Sequence, residues 1–342
     1  MIAILLFFLV AALVFYVLFA GADFGAGILE LFAGRSLRSE QRALISVALA
    51  PVWEANHVWL VLVVVILFMG FPPLYEALSV PLFIPVMAVL LGVVARGTAF
   101  TFRHYDAPDP AWQRVYNLIF TSSSLWTAVW LGLLAGGALM GRIGVGSGEW
   151  EPFVAPWAHL FGLSMALFTP LLFSFLAAVY LIEEAQSPAL QAHFRRQAGR
   201  LAVGMVLAGA LVFAGATAGG LPLVESFGDS PFSLGALGLA SLILPFFART
   251  LARGGPGLRG MGAAVVSLVL IGAFAAQYPV ALRTVDGPVT FAEAVAPEPT
   301  QKALVFALFG GSAIIFPGLF YLFAVFKRQT FQSPPSGDQG PS

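Results

Sequence analysis

The stretch IAILLFFLVAALVFYVLFA, Ile2 to Ala20, runs nineteen residues without a charge, and its reading decides the fold. At 1.5 Å per residue a helix over it is about 28 Å long, close to the thickness of a bilayer's hydrocarbon core. A secretory leader is the competing reading, because Ala20-Gly21-Ala22 has the small-x-small form of a cleavage site. No basic residue precedes the run, however, and it is longer than a leader's apolar segment, so it reads as a first membrane-spanning helix.

The rest of the chain agrees. Of 342 residues, 59% are hydrophobic, 10% are charged and 32 are phenylalanine, a composition outside the soluble globular range. An all-α integral membrane protein is expected. The 17 basic and 17 acidic residues cancel, which leaves no overall field for nucleic acid, and no such partner is expected. The absence of cysteine excludes disulfides, covalent c-type haem attachment, thiolate-bound clusters and cysteine nucleophiles.

Windows long enough to cross a bilayer fall near 2–32, 43–70, 78–102, 112–141, 157–182, 199–220, 232–252, 258–280 and 302–326. They make one polytopic domain of nine helices over residues 1–328. Residues 329–342, rich in Pro, Ser, Gly and Gln, read as a disordered tail. Orientation follows from the basic residues of the loops. Arg35, Arg38, Arg42, Arg103, Arg114, Arg195, Arg196, Arg200, Arg249, Arg253, Arg259, Lys327 and Arg328 fall on one side, and Arg142, Arg283 and Lys302 on the other. That split places the N-terminus outside and the C-terminus and its tail in the cytoplasm.

Within this apolar frame, Pro51 to Trp59, P-V-W-E-A-N-H-V-W, carries a carboxylate, an amide and an imidazole. An ionisable group at membrane depth costs roughly 2.5–3.5 kcal/mol even on lenient scales, so it marks function by default. Asp23 and Glu54 each lie roughly 14–17 Å from the cytoplasmic ends of their helices, level with one another. Two close carboxyls in low dielectric cannot both ionise cheaply, and one of them is expected to hold a proton. Glu54 and Asp23 are therefore the candidate proton relay. Gly21, Gly25 and the small residues between and after them are expected to let helix 2 come close. His57 shares a face with Glu54, whereas Asn56 lies with Trp53 and Trp59. Arg96, about 10 Å deep, either snorkels to the surface or pairs with an acid or a bound anion.

Other readings stay open at this point. Glu54 as a neutral hydrogen-bonding acid is a purely structural device, and His57 as a haem ligand is the lesser of its two uses. The helix-4 aromatics Trp112, Tyr116, Trp126 and Trp130 read as interfacial anchors and packing.

Four motifs in order resemble subunit II of the cytochrome bd-type quinol oxidases. Residues 21–27, G-A-D-F-G-A-G, look like that family's G-x-D-x-G-x-G. Residues 51–60, P-V-W-E-A-N-H-V-W-L, are similar to its P-x-W-[DE]-G-N-x-V-W-L. F-P-P-L-Y at 71–75 and R-G-T-A-F-T-F-R at 96–103 resemble its F-P-x-x-Y and R-G-x-A-F-x-F-R. Ala55, His57 and Thr101 depart from the family's usual glycine, glutamate or glutamine, and acidic residue, as in a divergent branch.

The resemblance implies two four-helix bundles plus one helix, paired with a subunit I that carries haems b and d and oxidises membrane quinol. Some members add a small single-helix accessory subunit or hold a structural quinone. On this reading the chain supports the haem region and relays protons from the cytoplasm for reduction of oxygen to water, in a prokaryotic cell membrane. No catalytic residue, resident metal or firmly bound cofactor is expected in the chain itself. A proton-coupled transporter and a purely structural scaffold remain the alternatives.

Overall fold

The computed structural model describes residues 1–34, 36–49, 56–105, 110–140, 142–144 and 149–330. Helix α1 spans Ile2–Leu31, with one π-helical turn at Tyr16–Ala20. It is followed by α2 (Arg38–Leu49), α3 (Val58–Gly70), α4 (Pro72–Ser79), α5 (Phe83–Tyr105) and α6 (Pro110–Met140). The second half holds α7 (Leu160–Glu184), α8 (Pro188–Ala218), α9 (Pro231–Arg253), α10 (Leu258–Gln277) and α11 (Glu298–Thr330). Among the described residues eight of these are long and apolar enough to cross a membrane. The number is nine when α3 and α4, bent by 118° at Phe71, count as one span. The bend has a local cause, since a residue before proline is driven from helical angles and Pro72 then opens a new helix.

The expected span 43–70 is described as α2, which begins earlier at Arg38, and α3. Between them residues 50–55, with Trp53 and Glu54, lie outside the described residues. Helix α8 begins at Pro188 rather than near 199. The Ser187 hydroxyl accepts from the Leu190 amide at 3.1 Å, and proline suits the first helical position. Its first turns bury Leu190, Phe194 and Ala198 at four-residue spacing beside Arg195, Arg196 and Arg200. A hydropathy window averages such an amphipathic stretch away. Helix α7 starts at Leu160 because His159 caps it, with Nδ1 accepting from the Gly162 amide at 2.9 Å. Burial lowers the His159 proton affinity, against the hydrogen bond to the Pro156 carbonyl, which raises it.

The architecture is helical as expected, with one addition. Strands β1 (Val280–Thr284) and β2 (Gly287–Thr290) form an antiparallel hairpin between α10 and α11. Asp286-Gly287 at its tip is a strong short-range turn signal, and Gly287 has φ +127°, a conformation open to glycine. The hairpin sits where Val285 donates to the Ile143 carbonyl, just past α6.

Helix α7 lies at the centre, packed by the second half of α1, by α6, by α8 and by α10. Helices α1, α5, α6 and α7 make one four-helix group, α8 to α10 pack on the far side of α7, and α11 lies against α1 and α3. Three apolar clusters result, of which two dominate. The larger surrounds Phe24, Phe120, Phe173 and Phe175, and the smaller gathers Leu5, Ile66, Phe71, Leu282 and Leu304 at the hairpin end. We call the other end, where α1, α5, α7 and α9 finish, the arginine-rich end. There Arg259 bridges Glu183 and Glu184.

Among the described residues, the glycines of α1 meet other helices than the expected helix 2. A Cβ at Gly21 would come within 2.7 Å of the Phe173 ring, one at Gly25 would land on the Phe173 carbonyl, and one at Gly27 on the Ser124 hydroxyl. They admit α7 and α6 instead, which is how the acid on α1 comes to sit in the middle of the larger group.

Candidate functional site

Helices α1 and α5 both run toward the arginine-rich end, so equal sequence steps carry equal rises along them. Each carries a charge and repeats it seven residues on, Asp23 and Glu30 on α1, Arg96 and Arg103 on α5. Seven residues make close to two turns and about 10 Å of rise, which keeps both members on nearly one face. The result is two stacked ion pairs of matched spacing, Asp23–Arg96 at 2.6 Å and Glu30–Arg103 at 3.0 Å.

The inner pair is buried. Arg96 is 0% and Asp23 1% exposed. Arg96 Nη2 donates to Asp23 Oδ1 and, at 3.2 Å, to the Asp23 carbonyl, while Nε donates to Ser124 Oγ on α6 at 3.1 Å. Its guanidinium also lies 5.0 Å from the Phe24 ring centroid and 4.8 Å from that of Phe120, within cation–π range. Arg96 therefore does not snorkel. Asp23 Oδ2 and Arg96 Nη1 are buried without a partner among the described residues, so the pair keeps one acceptor and one donor uncommitted.

The outer pair forms a wider cluster. Glu30, 2% exposed, also accepts from Arg42 Nε at 2.8 Å, and Arg103 Nη2 donates to Ser46 Oγ at 2.7 Å. Phe120 stands between the two levels, with Arg103 4.9 Å from its ring centroid. Arg42 remains over a third exposed at its side chain, so this cluster opens at the arginine-rich end.

The sequence candidates fall into place unequally. Asp23 and Arg96 come together, so among the described residues the charge nearest Asp23 is a cation. Asn56 is buried, and the His57 ring lies 6.1 Å from that of Phe24, within the field of Asp23 and Arg96. Glu54 and Trp53, the other half of the expected relay, lie outside the described residues. Trp59 packs on Phe15 at 4.6 Å. Sequence reading missed Glu30, Arg103 as its partner, and Ser124. The matched seven-residue recurrence on α1 and α5 is the signal that would have found the first two.

Chemically, the arrangement holds fixed charges and hydrogen-bonding atoms in a buried interior, as proton-conducting sites do. His57 is a single imidazole, and among the described residues no group of three His, Cys, Asp or Glu side chains converges as a metal site.

The family model for cytochrome bd terminal oxidase subunit II matches residues 1–326. A Bacillus subtilis protein named cytochrome bd ubiquinol oxidase subunit 2 is 34% identical over 131 residues, 38% of this chain and 38% of that protein. The Escherichia coli K12 protein named cytochrome bd-I ubiquinol oxidase subunit 2 is 28% identical over 121 residues, 35% of this chain and 31% of that one. The matched stretches thus span about a third of these relatives' lengths. In fold, the chain is similar to one from the bd oxidase of Geobacillus thermodenitrificans. The TM-score is 0.74 with 19% identity, covering 95% of this chain and 98% of the other.

Proposed function

This chain belongs to the cytochrome bd terminal oxidase subunit II family, and on that footing we propose that it is the subunit of a quinol:oxygen oxidoreductase that supplies protons to a haem-bearing partner. The observation that carries the proposal is the buried Asp23–Arg96 pair beside an open ionic cluster at Glu30. The partner's haems supply the oxygen reduction, and the membrane quinol supplies the electrons. The unequal split of basic residues supports an N-terminus outside and the arginine-rich end in the cytoplasm of a prokaryotic cell.

What this chain's own groups do follows from their geometry. The Glu30, Arg42 and Arg103 cluster holds a hydrated mouth at the arginine-rich end. Arg96 fixes Asp23 through Oδ1 and leaves Oδ2 to accept a proton-bearing hydrogen bond at depth. Glu54, expected level with Asp23, takes the same role on helix 2, with His57 and Asn56 as supporting polar groups. Drawing protons from the cytoplasm, while quinol releases its own outside, builds a gradient without a pump.

One observation favours a second reading. Asp23 is held by Arg96 through its side chain and its carbonyl, so the pair also serves as an architectural clamp between α1 and α5. Substitution separates the two. If Asp23 only clamps, Asp23→Asn lowers haem retention and activity together. If it relays, activity falls alone.

The proposal is tested by expressing the chain with and without its haem-bearing partner. The pair is expected to co-purify with b- and d-type haem spectra and to consume oxygen when given quinol, while the chain alone shows no haem absorption. A stable chain that never co-purifies with haem protein, or that itself retains stoichiometric haem, contradicts it.

A further inference from the structure

We infer that the Tyr16 hydroxyl is a further proton-transfer group, one that carries the line past Asp23 and away from the arginine-rich end; the inference rests on the relay reading above. Tyr16 lies seven residues before Asp23, as Asp23 lies seven before Glu30, so the three follow one another along α1 at about 10 Å of rise per step. It is 4% exposed, and its oxygen is buried without a hydrogen-bond partner among the described residues. A hydroxyl in hydrocarbon with no partner is costly, since no lipid atom satisfies it.

Tyr16 is not alone in this. Asp23 Oδ2, Arg96 Nη1 and His57 Nδ1 are likewise buried without a partner among the described residues. Arg96 contacts Asp23 at 2.6 Å and lies 5.0 Å from the Phe24 ring, whose centroid is 6.1 Å from that of His57, while Phe15, beside Tyr16, packs on Trp59 at 4.6 Å, so the four groups come from one packed neighbourhood. They reach it from α1, from α5 and from the residue that opens α3. Their hydrogen-bonding capacities complement one another: Oδ2 only accepts, Nη1 only donates, and the phenol and a neutral imidazole do both.

The backbone is specialised at the same place. The π turn of α1 covers Tyr16–Ala20 and gives way to α-helix at Gly21. Such turns are rare, and they cluster at functional sites. A phenol moves a proton along such a line without storing charge. Its oxygen takes a proton from a water on the Asp23 side as its own O–H proton passes to a water on the far side, so one O–H bond forms as one breaks and the phenol stays neutral.

The test is Tyr16→Phe in the assembled oxidase, beside Asp23→Asn. Quinol-driven oxygen uptake is expected to fall about tenfold, below the usual contribution of a positioned acid–base group. The H2O/D2O rate ratio should rise, with haem spectra and melting temperature unchanged. A wild-type rate and isotope ratio overturns the inference. A fall matched by equal loss of haem or thermal stability also overturns it, because the ring then serves only packing. Impairment in Asp23→Asn with a normal Tyr16→Phe defeats this inference alone, whereas two normal variants defeat the relay reading itself.

Discussion

Replacing Gly25 by valine is expected to abolish accumulation of the folded subunit. A Cβ at this position would fall on the Phe173 carbonyl and within 2.9 Å of the Ala177 Cβ. The first obstacle is backbone in the middle of α7, so no rotamer change relieves it. Only separation of α1 from α7 would make room, and that opens the larger apolar cluster around Phe24, Phe173 and Phe175. Overpacking where a side chain can yield costs about 1–3 kcal/mol, and the cost here should exceed that range. Membrane helices rely on small residues for such close approach, because lipid offers no compensating hydrophobic drive. Gly25→Ala should already reduce the yield of monodisperse protein in detergent, and Gly25→Val should remove it. Gly34→Ala is the control, since a Cβ there meets nothing within 4 Å. Normal yield and melting of Gly25→Val would contradict the α1–α7 contact.

Arg96→Leu is expected to cost about 3–5 kcal/mol, the usual penalty for removing one partner of a buried pair. Its loss would leave Asp23, 1% exposed, as an uncompensated carboxylate beside phenylalanine rings. It would also leave Ser124 without the Nε donor. Arg96→Lys should recover only part, because an ammonium cannot reach the Asp23 carboxylate, the Asp23 carbonyl and Ser124 in the planar geometry of a guanidinium. The double variant Asp23→Leu/Arg96→Leu is the informative one. Removing both charges should restore most of the stability lost in Arg96→Leu, since the desolvation cost disappears with the pair. Oxygen uptake should not return with it. Thermal melting of the purified complex, read beside activity, checks both halves. A single Arg96→Leu as stable as the parent would mean that Asp23 reaches water or another cation.

These two sites show where the sequence was legible and where it was not. Charge-free runs such as Ile2–Ala20 are properties of single segments, so the all-helical, many-spanning fold could be read directly. Asp23 stood out for the same reason, as a charge inside an apolar helix. Its partner did not, because pairing joins α1 to α5, 73 residues apart, and Arg96 alone is equally consistent with snorkelling. The small residues of α1 announced a close approach, but the neighbour expected was helix 2, whereas Gly21 and Gly25 meet α7 and Gly27 meets α6. Glu30 sits at a helix end, where an acid ordinarily meets water, and only the three-helix packing buries it. Tyr16 reads as one more aromatic in an apolar run, and nothing in its neighbours announces the π turn. The Asp286-Gly287 hairpin was legible in principle but lay in a segment read only as a loop.

The central claim is that protons for oxygen reduction enter from the arginine-rich end through Asp23 and Glu54. It is tested most directly in vesicles holding the assembled complex in one orientation, with a pH dye on the side of that end and an oxygen pulse to start turnover. Proton uptake on that side should accompany oxygen consumption in the parent complex. In Asp23→Asn and Glu54→Gln both should slow together, by at least about tenfold, with haem spectra intact. Undiminished proton uptake from that side in both variants would contradict the account.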